Sequence, residues 1–361
     1  MNSAESFSAT YGEARAKFRA AAEAAGAALV SLAHPERGPD GGELATDIAW
    51  VGPRDAGQVL VMLSATHGVE GFCGSGAQVD WLRRGEAARL PADSAALLVH
   101  AVNPYGFAWL RRVTHENVDL NRNWVDFGSP LPDNAAYRAL QPAILPDAWT
   151  PDTVAASHRA FAEHAARHGA MALQQALTGG QYHDPAGIFF GGGGPTWSRR
   201  TQTAIFADYL AGARTVVILD YHTGLGPWGY AEQISTAPRG SAAFERTTAL
   251  FGAAVVSVAS GDSSSARISG DGLSAAPDLL PHAQVTGIAM EYGTLPSETV
   301  IEAVRADCWL HARGDLASPL GRAIKAQVRD AFYGDADDWK GMVAGQSLLV
   351  TRQVLTGFAR G

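Results

Sequence analysis

Cysteine is nearly absent from this sequence: Cys73 and Cys308 are its two thiols in 361 residues. So few thiols exclude a disulfide framework and a zinc site of the CxxC type, and any bound metal would need imidazole and carboxylate ligands. No stretch approaches 18 uninterrupted apolar residues, so no membrane span is expected. There is no block of Lys or Arg, and 28 basic against 36 acidic residues leave a formal charge of -8. Neither nucleic acid nor an anionic membrane surface is the expected partner on that balance, which leaves small molecules or peptides. The opening "MNSAESFSATYGEARAKFRAAAEAAG" lacks a basic segment followed by an apolar one. It reads as an amphipathic helix with Phe18 among its apolar positions, and a cytoplasmic location is expected.

What is present is 47% hydrophobic residues, 18% charged residues and 40 glycines, the composition of a soluble protein with a sizeable core and many turns. "AALVSLAH" and "LATDIAWVG", separated by "PERGPDGG", predict an edge hairpin or two edge strands. Four apolar runs, "QVLVMLSA", "ALLVHAVN", "RTVVILDY" and "TGIAMEYG", have the pattern of strands buried on both faces. Helical stretches separate them: "GSGAQVDWLRRGEAARL", "RTQTAIFADYLAG" and "SETVIEAVRADCWLHARG". The alternation predicts an α/β fold, a mostly parallel mixed central sheet with helices on both faces. Residues 1–361 are expected to form a single domain, interrupted at about 128–200 by an insertion or excursion that flanks the site. Two C-terminal helices, within "LGRAIKAQVRDAFYG" and "DADDWKGMVAGQSLLVTRQVLTGFARG", are expected to pack outside the sheet.

In open parallel sheets ligands sit beyond the carboxyl ends of the strands. Each apolar run here delivers a polar group there: His67 and Glu70, then Asn103, then Asp220 and His222, then Glu291. One shared site explains the coincidence. The HxxE string of His67 and Glu70 cannot by itself be told from a strand-to-helix turn, because a glutamate also favours a helix N-terminus. With His222 the set becomes two imidazoles and a carboxylate, as in catalytic zinc sites that leave a fourth position open. Gly68 keeps the loop between the first two uncrowded. Glu291, costly at the end of an apolar strand unless compensated, is the expected proton carrier, against the alternative of a pair with a nearby arginine. In "NPYGFAWLRRVTHENVDLNRNW", Arg122 with Asn121 suits a substrate carboxylate, and Arg112 suits the oxyanion of a polarised carbonyl. Arg111 is expected to be a solvated surface charge.

These strings resemble the zinc metallocarboxypeptidase family, the carboxypeptidase A-like superfamily, and most nearly a bacterial, cytoplasmic branch of it. The resemblance rests on "THGVEG", "NPYGF", "NVDLNRNW", "DYHTG" and "AMEYG", in order over roughly residues 58–295. It implies a zinc carboxypeptidase-like fold of the phosphorylase/hydrolase type and one Zn²⁺ per chain on His67, Glu70 and His222. It also implies Glu291 as general base and acid, Asn121 and Arg122 on the terminal carboxylate, Arg112 on the scissile carbonyl, and Asp119 behind His67. Asp220 either does the same for another ligand or serves a core or turn role.

The sequence departs from the pattern in places. The family's substrate-capping tyrosine has no clear counterpart, Tyr230 and Tyr292 being candidates by proximity alone. Asp262, Arg267 and Asp271 lie where specificity would be set, or are loop charges. The glycine run 191–194 is no phosphate loop, since no Lys-Ser/Thr follows. His115 and His183 line the site or are structural or exposed, and His100 belongs to the core. The function implied is a zinc-dependent hydrolase that cleaves an amide next to a free carboxylate, as a carboxypeptidase or an N-acyl amino acid amidohydrolase. Alternatives are an aspartoacylase-like deacylase of a small acylated amino acid or ester, and a binding protein on the same scaffold.

Overall fold

A computed structural model describes residues 2–360. Among them eight strands form one sheet in the order β1-β2-β4-β3-β5-β8-β6-β7. These are β1 (Ala28–Arg37), β2 (Glu43–Val51), β3 (Gln58–Leu63), β4 (Ser94–His100), β5 (Thr215–Trp228), β6 (Ala231–Ser235), β7 (Val255–Ser257) and β8 (Gln284–Gly293). The four apolar runs of the sequence are the four central strands, β4, β3, β5 and β8, all parallel. Antiparallel pairs flank them: β1 with β2 and β2 with β4 on one side, β6 with β8 on the other. The sheet is therefore mixed around a parallel centre, the α/β architecture that the alternation predicts. One detail differs: β1 lies at the edge, whereas β2 is internal between β1 and β4.

Side chains leave a strand on alternate faces, and both faces of the central strands are buried. Leu60 and Met62 of β3, with Val217, Leu219 and Tyr221 of β5, enter one core cluster. Val59, Val61 and Leu63, with Val216 and Ile218, enter the other. The first cluster is closed by helices Tyr11–Ala24, Gly71–Arg83, Ser297–Arg313, Pro319–Phe332 and Asp337–Ala359, which contribute Phe18, Trp81, Leu310, Phe332 and Trp339 among others. The second is closed by helices Trp197–Tyr209 and Gly272–Leu279 through Ile205, Phe206 and Ala276.

Between residues 128 and 200 the chain forms helices Ala135–Ile144, Pro151–His168 and Ala170–Thr178. The second starts on Thr150, whose hydroxyl accepts from Thr153 N at 3.3 Å while Thr153 Oγ1 accepts from Thr150 N at 3.0 Å. Tyr137, Ile144, Phe161 and Leu177 from these helices join the first core cluster. No helix among the described residues is long and apolar enough to cross a membrane.

Candidate active site

Register places the key groups side by side. Leu63, the last residue of β3, pairs with Asp220 of β5, and His222 pairs with Glu291 of β8. His67 and Glu70 follow β3 in a short turn that enters helix Gly71–Arg83. That turn has no room for a side chain at its glycine: a Cβ on Gly68 would lie 2.1 Å from the carbonyl carbon of Gly106. Gly68 N and Val69 N donate to the carbonyls of Arg112 and Arg111 at 3.0 and 2.8 Å, so the HxxE loop is bound to the arginine segment. "THGVEG" and "NPYGF" thus meet backbone to backbone.

The donors of His67, Glu70 and His222 converge, and all three residues are buried. The two Nδ1 atoms are 3.1 Å apart. Glu70 Oε1 is 3.0 Å from His67 Nδ1, and Glu70 Oε2 is 3.0 Å from His222 Nδ1. The outer nitrogens face carboxylates: His67 Nε2 lies 3.1 Å from Asp119 Oδ1, and His222 Nε2 lies 2.9 Å from Asp220 Oδ2. A ring that donates Nε2–H outward leaves Nδ1 as an inward lone pair. Asp220 also accepts from Thr66 Oγ1 at 2.7 Å, so its position is that of a partner to His222.

Charge in this knot is strongly coupled. Burial raises the Glu70 carboxyl, but His67 and Arg112 outweigh it and hold the group well below the usual range. Asp119 is held low in the same way, chiefly by Arg112 and His67 against burial. Burial lowers His222, yet Asp220 and Glu70 more than reverse this and keep it raised. Glu291 moves the other way: burial, then the Glu70 carboxylate, pushes it up to about 8. Its Oε1 accepts from Leu225 N at 3.0 Å, and among the described residues no arginine pairs with it.

Arg112 bridges the carboxylates, with Nε 3.0 Å from Asp119 Oδ2, Nη1 2.7 Å from Glu70 Oε1 and Nη2 2.9 Å from His67 Nε2. Arg122 is 4% exposed and has no carboxylate partner among the described residues. Its Nη1 donates to Asn121 O at 2.9 Å, its Nη2 donates to Thr178 O, and its Nε is unpaired. Phe189 lies against both cations, 5.3 Å from Arg112 and 5.4 Å from Arg122. Asn121 Oδ1 accepts from Gly272 N at 3.2 Å.

His67, Arg112, Asn121, Arg122, His222 and Glu291 all line one cavity of about 1240 Å³. The remaining expectations divide, some met and some corrected. Asn103 is buried away from the cavity and caps the turn after β4, accepting from Gly106 N at 2.9 Å. Arg111 is no surface charge: it is 3% exposed and its Nε lies 2.9 Å from Asp307. Tyr292 is buried in the first core cluster, and Tyr230, 48% exposed, does not reach the cavity wall. Arg267 and Asp271 do line the cavity, whereas Asp262 pairs with Arg239. His115 and His183 lie outside the wall, and His100 is fully buried in the core. Sequence reasoning missed Leu225 N, Thr223 N, which donates to Glu70 at 3.1 Å, and Thr66. The first two are backbone groups, and no residue type announces them.

Solved structures similar to this chain are distant from it. Carboxypeptidase A from Helicoverpa armigera matches at 12% identity and a TM-score of 0.45, over 90% of this chain and 74% of that one. An aspartoacylase family protein from Mesorhizobium loti matches at 14% and 0.39, over 81% and 68%. A metallo-carboxypeptidase from Burkholderia cenocepacia matches at 16% and 0.40, over 88% and 67%. At those values the chemistry has to be read from this chain's own side chains. No curated protein matches the sequence. The family model described as "Protein of unknown function (DUF2817)" matches residues 7–346, and the chain belongs to that family.

Proposed function

We propose that this protein is a zinc-dependent hydrolase that cleaves an amide bond next to a free carboxylate. The observation that carries the reading is the meeting of His67 Nδ1, His222 Nδ1 and Glu70 at separations of 3.0–3.1 Å, each imidazole backed by its own carboxylate. Two ring nitrogens and an anionic oxygen so close need positive charge among them, a proton or a metal ion. Donors held at about 2.0–2.1 Å in tetrahedral zinc sites sit roughly 3.3 Å from each other, so the residues present fit this ion. Bound there, zinc would supply a Lewis acid that lowers the pKa of water and polarises a carbonyl.

The chain's own groups account for the remainder. Glu291, buried and lining the same cavity, takes a proton from the attacking water and returns it to the departing amine. Leu225 N donates to one oxygen of that carboxylate and so fixes its orientation. Arg122, a buried cation without an anionic partner among the described residues, receives the substrate carboxylate, with Asn121 beside it. Arg112, tied to Asp119 and Glu70, keeps positive charge beside the reacting carbonyl.

Metal analysis of the purified protein, with hydrolysis assays on wild type and Glu291→Gln, tests this. The expected result is about one zinc per chain in both and a loss of roughly 10²–10⁴ in rate for the variant. Normal hydrolysis by Glu291→Gln, or protein that takes up no zinc, overturns the reading.

A further inference from the structure

The cavity, at about 1240 Å³, exceeds the roughly 300–1,000 Å³ usual for sites that hold drug-sized ligands. Polar side chains line it beside His67 and His222 and also farther out, at His158, Gln174, Glu298 and Glu302, and apolar side chains make up much of the remaining wall. Helix Ala170–Thr178 turns Leu173 and Leu177, one turn apart, toward it, helix Pro151–His168 adds Phe161, and helix Ser297–Arg313 adds Val300, Ile301 and Val304. Phe161, Leu177, Val300 and Val304 belong to the first core cluster, and Leu173 and Ile301 pack against it half-buried. These side chains give the cavity an apolar patch, which shares its helices with the polar lining residues His158, Gln174 and Glu302. It is joined to the carboxylate anchor, because Thr178, the last residue of the helix that carries Leu173 and Leu177, accepts from Arg122 Nη2.

A surface of this kind gains free energy only when apolar atoms cover it. An acetyl group leaves most of it wet. A peptide laid on the apolar patch itself would bring amide groups against side chains that cannot bond them, and would have to reach the polar residues beside the patch. Building on the hydrolase reading above, we infer that the substrate is an N-acyl amino acid with a long apolar acyl chain, which lies along the wall of Phe161, Leu173, Leu177 and Ile301. In the reaction a water oxygen bonds to the acyl carbon and the carbon–nitrogen bond breaks. The water's proton passes through Glu291 to the nitrogen, releasing a long-chain carboxylate and a free amino acid.

The test uses the zinc-loaded full-length protein with N-acetyl-, N-hexanoyl- and N-dodecanoyl-L-alanine and the peptide N-acetyl-Leu-Leu-Ala. kcat/KM is measured on wild type, and affinity is measured by calorimetry on Glu291→Gln. Each buried methylene is worth about fourfold, so both quantities are expected to rise at least about a hundredfold from acetyl to dodecanoyl. In Leu173→Asn and in Ile301→Asn the dodecanoyl-to-acetyl ratio is expected to fall at least tenfold. N-acetyl-alanine handled as well as the dodecanoyl compound, or a preference for the peptide, overturns the inference and leaves the hydrolase reading standing. An affinity ladder without cleavage of any compound does the reverse.

Discussion

The Nδ1 atoms of His67 and His222 lie 3.1 Å apart, and each ring's Nε2 is held by a carboxylate, Asp119 or Asp220. Where each Nε2 donates its proton to that carboxylate, the Nδ1 atoms are left as acceptors that face each other across Glu70. A ligand that binds the folded chain alone stabilises it, by about 3 kcal/mol at a hundredfold excess over Kd. A chelator is therefore expected to lower the thermal unfolding midpoint and zinc to restore it, and in His222→Ala the midpoint should ignore both. A wild-type midpoint indifferent to chelator and zinc would sink the metal site.

Gly68→Ala tests the loop that carries two of the three donors. The new Cβ would fall 2.1 Å from the Gly106 carbonyl carbon and 2.4 Å from Phe107 N, both backbone atoms that cannot step aside. We expect a loss of about 2–3 kcal/mol in denaturant unfolding together with weakened zinc uptake. Gly193→Ala, with nothing within 4 Å of its added Cβ, is the control and should be neutral. Equal stability of the two variants would contradict the packing described here.

Arg122→Lys keeps the charge but removes the planar fork. Loss of one charge-assisted hydrogen bond, about 1.5–3 kcal/mol, predicts a fall of roughly 10–100-fold in kcat/KM for substrates with a free carboxylate. The same substrates in amidated form should be cleaved poorly by wild type and change little in the variant. If amidation makes no difference to wild type, Arg122 does not anchor a carboxylate.

Acid sensitivity is expected from the core rather than from the surface. Burial lowers His100 to about 4, its ring stacks on Phe18 at 4.7 Å, and its Nε2 meets Ser75 Oγ at 2.9 Å. A histidine depressed in the folded state binds fewer protons there than in the unfolded chain. Its contribution is complete above the unfolded value of 6.5 and is lost as pH falls toward 4, by roughly 3 kcal/mol in all. Unfolding free energies from urea titrations between pH 7 and 4 should fall along that window. In His100→Gln the slope should flatten by about one proton, and an unchanged slope would assign the effect to other groups, such as buried His34, also lowered to about 4 by burial.

How much of this was legible in the chain differs from element to element. The central strands were readable because a run such as "VLVMLSA" carries no polar face and must be buried on both sides. β6 and β7, five and three residues long, carry too few alternations to stand out. Arg111 and Arg112 are adjacent and alike in sequence, yet one is paired with Asp307, 196 residues away, and the other with Glu70 and Asp119. No local pattern separates them.

The sequence by itself determined the alternation of strands and helices, the order of His67, Glu70, His222 and Glu291 at strand ends, and the exclusion of thiolate ligands. Those follow from local rules: side-chain periodicity, and the cost of leaving a charge at the end of an apolar strand. The tertiary structure alone decided that His222 lies opposite Glu291, that Asp220 backs His222, and that helices from residues 151–178 and 297–313 build the apolar wall. These depend on strand register, on the direction in which side chains turn and, for the wall, on segments more than a hundred residues apart, which spacing along the chain does not specify.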